Sequence, residues 1–225
     1  MLIQCLTSIA AQGHPVLMFS MEMGALELAY RMLSSQTALE SSRLRTGRVT
    51  DNEWVTIGQG VSQISELPFY IVDKAALSVA DIRSKARYLH AKHGHLGIIG
   101  IDYLQLMGEG NGANRVNELG QITRSLKGLA RELHCPINLL SQLSRGVESR
   151  TNKRPIMSDL RESGNIEQDS DLIMMLYREE YYDPDTPDRG IAEVIITKHR
   201  NGPTGTVKLL FEPQYTRFRN LARHE

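Results

Sequence analysis

The feature of this sequence that most limits its fold is a repeated switch of hydrophobic period, from short β-branched runs to stretches with apolar residues three and four apart. Val16 to Ser20, Phe69 to Val72, Gly97 to Ile101 and Pro136 to Leu140 read as buried strands bounded by turn residues. Between them, Leu2 to Ala11 reads as a helix stopped by Gly13, and Ala25 to Glu40 as a second helix. Asp51 is expected to cap a third. Ser78 caps a fourth, on which Val79, Ile82, Ala86 and Leu89 share one face. Val116, Leu119, Ile122, Leu126, Leu129 and Leu133 mark an amphipathic helix of about five turns. Strands that alternate with helices need crossover connections. They predict an α/β domain with a mainly parallel sheet, whose ligands gather beyond the carboxyl ends of the strands.

The last quarter departs from this pattern. Leu172 to Leu176, Ile191 to Thr197, Thr206 to Phe211 and Tyr215 to Phe218 read as strands joined by Gly/Pro-rich turns with no helix between them, so an antiparallel extension is expected. No internal repeat or interdomain linker is visible, and 225 residues with 41% hydrophobic content suit one large domain over 1–225. The loops at Gly108 to Asn114 and Arg145 to Arg154 are polar and long enough to serve function.

Composition removes several classes of function. Lys+Arg and Asp+Glu both number 26, so no chain-wide basic field holds nucleic acid, and any polyanion site must be a local patch. The two cysteines, Cys5 and Cys135, form no CxxC pair, and no His-rich tract accompanies them. A disulfide framework and a zinc cluster are therefore excluded, and a reducing compartment is expected. The first 21 residues carry no charged side chain, but Gln4, Gln12, Gly13, His14 and Pro15 interrupt them and no basic segment precedes them. They read as a packed helix and a buried strand rather than a signal or a membrane span.

Three strand ends carry residues suited to chemistry. Asp102, after the run Leu96 to Ile101, would sit at the rim of the sheet and could hold a hydrated Mg²⁺. Val16 to Ser20 delivers Glu22 to the same rim as a base for water, and Ile137 to Ser141 delivers Gln142, whose amide can sense a phosphate or orient water. Singly, these read as a helix cap, a surface glutamate and a loop residue. Their convergence favours function. No Gly-Lys-Ser/Thr string is present to cradle phosphates. In a P-loop fold that string precedes the first helix, so the chain is expected to begin beyond it. Lys198 and Arg200 stand at alternate positions after a strand and project alike from a turn shaped by Asn201, Gly202, Pro203 and Gly205.

Longer strings name a family. Phe19-Ser20-Met21-Glu22-Met23, Arg43-Leu44-Arg45-Thr46-Gly47, Ile101-Asp102-Tyr103-Leu104-Gln105-Leu106-Met107, Ser141-Gln142-Leu143-Ser144-Arg145 and the run Asp159 to Gln168 closely resemble the DnaB family of bacterial replicative DNA helicases. Lys198 to Gly205, followed by Glu212 to Phe218, resembles the end of that family's motor domain. The resemblance covers Met1 to about Arg219, and the family's N-terminal collar domain, linker and P-loop have no counterpart in it.

The resemblance implies a RecA-like P-loop NTPase core that uses ATP and Mg²⁺ to move 5′ to 3′ on single-stranded DNA and unwind duplex during replication. Glu22 matches the catalytic glutamate, Asp102 the Mg²⁺ carboxylate, Gln142 the γ-phosphate sensor and Arg31 an arginine near the nucleotide. Lys198 and Arg200 match the finger that enters a neighbour's site in a ring. Arg161, Glu162 and Gly164 match the loop that grips single-stranded DNA, where Gly164 lets backbone approach phosphate and Arg161 supplies charge. The same segment also reads as a helix start capped by Ser158, and Arg145 to Arg154 as a basic loop that attracts DNA or is simply solvated. The implied partners are a homo-hexamer in the full-length form, a primase and a helicase loader, in the cytoplasm and without a membrane. The alternatives are a non-catalytic helicase fragment and a RecA-type recombinase-related ATPase.

Overall fold

The computed structural model of the chain describes residues 1–107, 113–160 and 164–221. Its first part winds α1 (Leu2–Ala10), β1 (Val16–Ser20), α2 (Ala25–Thr37), α3 (Ser41–Thr46), α4 (Asp51–Ser65), β2 (Phe69–Asp73), α5 (Val79–His93), β3 (Ile98–Asp102), α6 (Ala113–Glu132) and β4 (Ile137–Leu139). The four strands form one parallel sheet in the order β2-β1-β3-β4.

All five residues of β1 are buried, because helices cover both faces of the sheet. On one face Val16, Met18 and Ile98 meet Leu2, Leu6 and Ala10 of α1 and Leu28 of α2. On the other, Leu17, Phe19, Ile99 and Ile101 meet Ile82, Ala86 and Leu89 of α5 and Leu119, Leu126 and Leu129 of α6. Each of the larger side chains contributes roughly 1.5–3 kcal/mol through burial. Gly100 brings α1 close, since a Cβ there would lie 2.6 Å from Leu6 Cδ1.

The second part follows α7 (Gly164–Asp169) and is an antiparallel sheet in the order β5-β6-β7-β8, formed by Leu172–Tyr177, Ile191–His199, Gly205–Glu212 and Arg217–Asn220. Strand β5 alternates, burying Ile173, Met175 and Tyr177 and exposing Leu172, Met174 and Leu176. The Gln4 side chain joins the two parts. Its Nε2 donates to Phe218 O at 2.7 Å and its Oε1 accepts Phe218 N–H at 2.8 Å.

Several boundaries differ from expectation. The second helix stops at Thr37, where Ala38 turns left-handed (φ 55°), and the separate helix α3 begins at Ser41. Asp51 is the first residue of α4 rather than its cap. Thr50 holds the cap, and Glu53 Oε2 accepts the Thr50 N–H at 2.7 Å in a capping box. Tyr215 lies in a 3-10 turn set by Pro213, so β8 starts only at Arg217. Strand β6 runs on to His199 and takes Lys198 into the sheet. Among the described residues, no helix is long and apolar enough to cross a membrane.

Candidate active site

Parallel pairing puts the ends of three strands in register. Ser20 lies opposite Asp102 on one side and Asp73 on the other. Beyond Ser20 the chain turns sharply, because the buried Ser20 hydroxyl donates to Met23 O at 2.7 Å and accepts Met23 N–H at 3.3 Å. Met21 N–H donates to Asp102 O at 2.9 Å. Glu22, the next residue, is thereby exposed at the rim beside the end of β3. Asp73 fixes the start of α2 by accepting Ala25 N–H at 2.8 Å.

Asp102 is half-buried, and its carboxyl titrates above the usual range. Burial is the main cause and the Glu22 charge the second, while Arg31 opposes both. Arg31 stands on α2 and pairs with Glu27 one turn earlier at 3.3 Å. Glu22, Asp102 and Arg31 therefore share one electrostatic field. A half-buried carboxylate beside a second negative charge is a setting that a divalent cation relieves.

Strand β4 completes the rim. Leu140 N–H donates to Ile101 O at 2.9 Å, and Leu104 N–H returns to Leu140 O at 3.0 Å. Gln105 then spans the gap, with Nε2 donating to Ser141 Oγ at 2.9 Å and Oε1 accepting Gln142 N–H at 3.1 Å. This places the exposed Gln142 on the same rim as Glu22 and Asp102. Gln105 was not singled out by sequence reasoning. A bond across a separation of 36–37 residues leaves no periodic trace.

Lys198 and Arg200 lie elsewhere. The Lys198 ammonium donates to Glu167 O and the Arg200 guanidinium to Gln168 O at 2.5 Å, both in the last turn of α7, where helix carbonyls lack internal partners. Arg200 N–H also donates to Asp171 O at 2.9 Å, and its Nε lies 3.5 Å from Asp171 Oδ1. Asp171 is also held by Lys127 of α6, the main cause that keeps its carboxyl below the ordinary range. Among the described residues, no hydrogen bond or ion pair links Lys198 or Arg200 to Glu22, Asp102 or Gln142.

Arg161 and Glu162 lie outside the described residues; Gly164 is exposed and opens α7. Ser158 does not cap that helix. It sits inside the 3-10 turn Met157–Asp159, where Asp159 Oδ2 accepts Ile156 N–H at 2.8 Å.

The loop Arg145 to Arg154 is not a free basic loop. Arg150 donates to both Asp159 oxygens at 3.0 and 2.7 Å, and Arg154 to both Glu193 oxygens at 2.6 and 2.8 Å. Asp159 and Glu193 are 6% and 3% exposed. Buried carboxylates thus cancel two of the charges expected to attract DNA. A cavity of about 270 Å³ opens nearby, lined by Val147, Tyr177, Arg178, Tyr182, Phe211 and Phe218 among others; none of the candidate site residues lines it.

Among the described residues, no group of three or more His, Cys, Asp and Glu side chains is arranged to hold a metal ion. A lone carboxylate such as Asp102 suits Mg²⁺, which keeps several waters and takes other ligands from phosphate.

A parallel sheet with helices on both faces, carrying Glu22, Asp102 and Gln142 at the carboxyl ends of β1, β3 and β4, defines a RecA-like α/β domain. The chain belongs to the DnaB-like helicase C-terminal domain family, which matches residues 1–220. It is 48% identical over 211 residues to the replicative DNA helicase DnaC of Bacillus subtilis (strain 168), an alignment that covers 92% of this chain and 46% of that protein. It is similar to a solved ATPase domain, at 41% identity and a TM-score of 0.92, covering 98% of this chain and 79% of that one. A DnaB-like replicative helicase, solved with its interactions with primase, is 40% identical with a TM-score of 0.90, covering 98% and 55%. The chain spans about half the length of the curated relatives it matches. Membership of the helicase family sets the recombinase alternative aside.

Proposed function

We propose that this chain is part of the ATP-hydrolysing motor of a replicative DNA helicase, inactive by itself because it carries no Gly-Lys-Ser/Thr string to hold phosphates, and that the whole motor couples nucleotide turnover to translocation on single-stranded DNA and to duplex unwinding. The observation that carries this reading is the shared rim, where Ser20 faces Asp102, Glu22 bears on the ionisation of Asp102, and Gln105 holds Gln142 beside them. Glu22 accepts a proton from the water that attacks the γ-phosphate. Gln142 meets the γ-phosphate, and Asp102 would hold Mg²⁺, with Arg31 adding positive charge nearby. The burial of Asp102 beside Glu22, which disfavours its ionised form, supports that fit, because a bound cation offsets that cost. Bound Mg²⁺ would supply charge neutralisation at the β- and γ-phosphates.

Lys198 and Arg200 serve the nucleotide of the next subunit in a homo-hexamer. Their separation from Glu22 within one chain supports this assignment. Arg161, Glu162 and Gly164 contact single-stranded DNA, through backbone phosphate rather than base sequence. A primase and a helicase loader are partners of the complete protein, which acts in the cytoplasm.

The test is a chimera in which these residues replace the matching region of the Bacillus subtilis relative. We expect DNA-stimulated phosphate release and 5′ to 3′ unwinding. A folded hexameric chimera that binds ATP but neither hydrolyses it nor unwinds DNA would refute the proposal.

A further inference from the structure

The end of the parallel sheet opposite Glu22 and Asp102 carries a feature that the motor does not use. His14 precedes Pro15 and β1, and His95 lies just before β3, so both sit where the strands enter the sheet. His14 Nδ1 lies 3.3 Å from His95 Nε2, and the rings meet edge to face with centroids 5.5 Å apart. Both side chains are exposed.

Backbone structure holds the pair together. Gly97 N–H donates to Pro15 O at 2.8 Å, and Val16 then pairs with Ile98 in the sheet. The two histidine segments also approach unusually closely, since a Cβ on Gly97 would stand 2.6 Å from His14 Cβ. The separation of the rings is therefore largely set before any ligand arrives.

We propose that His14 and His95 form a two-histidine chelate for a borderline divalent transition ion, of which Zn²⁺, Ni²⁺ and Cu²⁺ are the representatives. Two imidazole nitrogens at about 2.0–2.1 Å from a tetrahedral ion stand roughly 3.3 Å apart, the spacing already present. His14 ligates through Nδ1 and carries its proton on Nε2; His95 ligates through Nε2 and carries its proton on Nδ1. The hydrogen bond between the rings is replaced, and water fills the remaining positions. Imidazole nitrogen selects these ions over Mg²⁺ and Ca²⁺, which require oxygen ligands, so the site is chemically separate from the one at Asp102. Bound metal ties the α1–β1 turn to the α5–β3 turn and stabilises the fold by mass action.

Calorimetric titration of the full chain with ZnCl₂, NiCl₂ and MgCl₂ tests the proposal, on a Cys5→Ser background so that the exposed thiol takes no metal. The expected result is one Zn²⁺ or Ni²⁺ per chain, no Mg²⁺ signal, and a melting temperature that rises with Zn²⁺. His14→Ala and His95→Ala should each weaken binding by about tenfold or more, a loss of about 1.4 kcal/mol. Metal-free circular dichroism should be unchanged, and His134→Ala should bind as the parent does. Either no Zn²⁺ binding by the parent, or two single variants that bind as tightly as the parent, would overturn it.

Discussion

The side-chain carbonyl of Gln105 accepts the backbone N–H of Gln142 at 3.1 Å. With the partner bond to Ser141, it locks the segment after β4 onto the turn after β3, so Gln142 is placed by Gln105 rather than by its own loop. In the chimera, Gln105→Leu should lower turnover by about tenfold to a hundredfold, the scale of a misplaced catalytic group, and leave ATP affinity nearly unchanged. Single-turnover phosphate release and nucleotide titration separate the two effects. Equal losses in both would indicate a general collapse of the rim.

Asp102 gives a pH dependence of defined sign. Its folded carboxyl is harder to ionise than the same group in the unfolded chain, chiefly through burial. At a pH below the ordinary carboxylate range both states are protonated and nothing is lost. As pH rises, the unfolded chain ionises first, and folding then carries a cost that persists at neutral pH. Asp102→Asn should accordingly melt higher than the parent at pH 7, with the gap closing below about pH 4. A constant gap across that range would refute the sign.

Arg154 and Glu193 form a bidentate pair with the carboxylate buried and the guanidinium part-exposed. Removing one partner strands the other charge. Arg154→Ala should destabilise by roughly 2–3 kcal/mol, less than for a fully buried pair because water reaches the arginine. Replacing both residues with apolar ones, as Arg154→Met with Glu193→Leu, should recover most of that loss. Urea unfolding of the two variants checks both statements.

Arg200 should act in trans. In the chimera, Arg200→Ala should bind nucleotide but hydrolyse it about a thousandfold more slowly, as for the loss of a charge that serves the transition state. Glu22→Ala damages a subunit's own site and Arg200→Ala the next one, so mixed rings contain some interfaces with both groups intact. Partial activity should return on mixing. Mixed rings, verified by subunit exchange, that stay as inactive as either parent would place Arg200 within its own site.

The legible part of this fold is the part governed by burial. Val16 to Ser20 and the run ending at Ile101 are apolar on both faces, and that pattern alone delivers Glu22 and Asp102 to one rim. Gln142 follows by the same logic from β4. What escaped depends on partners distant in sequence. Gln105 reaches across to Gln142, Arg154 to Glu193 and Arg200 to the end of α7, none of which leaves a local pattern. The break at Ala38 escaped for a different reason. Alanine is a strong helix former, yet here it takes the left-handed C-cap position of α2, after which Ser34 Oγ donates to Leu39 O at 2.6 Å.

If Glu22 and Asp102 act on one nucleotide, loss of Glu22 must stop chemistry without loosening binding. Steady-state ATP hydrolysis by the chimera and its Glu22→Ala variant at saturating single-stranded DNA, with ATP affinity measured in parallel, decides this. We expect kcat to fall by about a hundredfold to ten-thousandfold, the range for a lost general base, with affinity within about threefold of the parent. Turnover equal to the parent's in a correctly assembled ring would contradict the shared site.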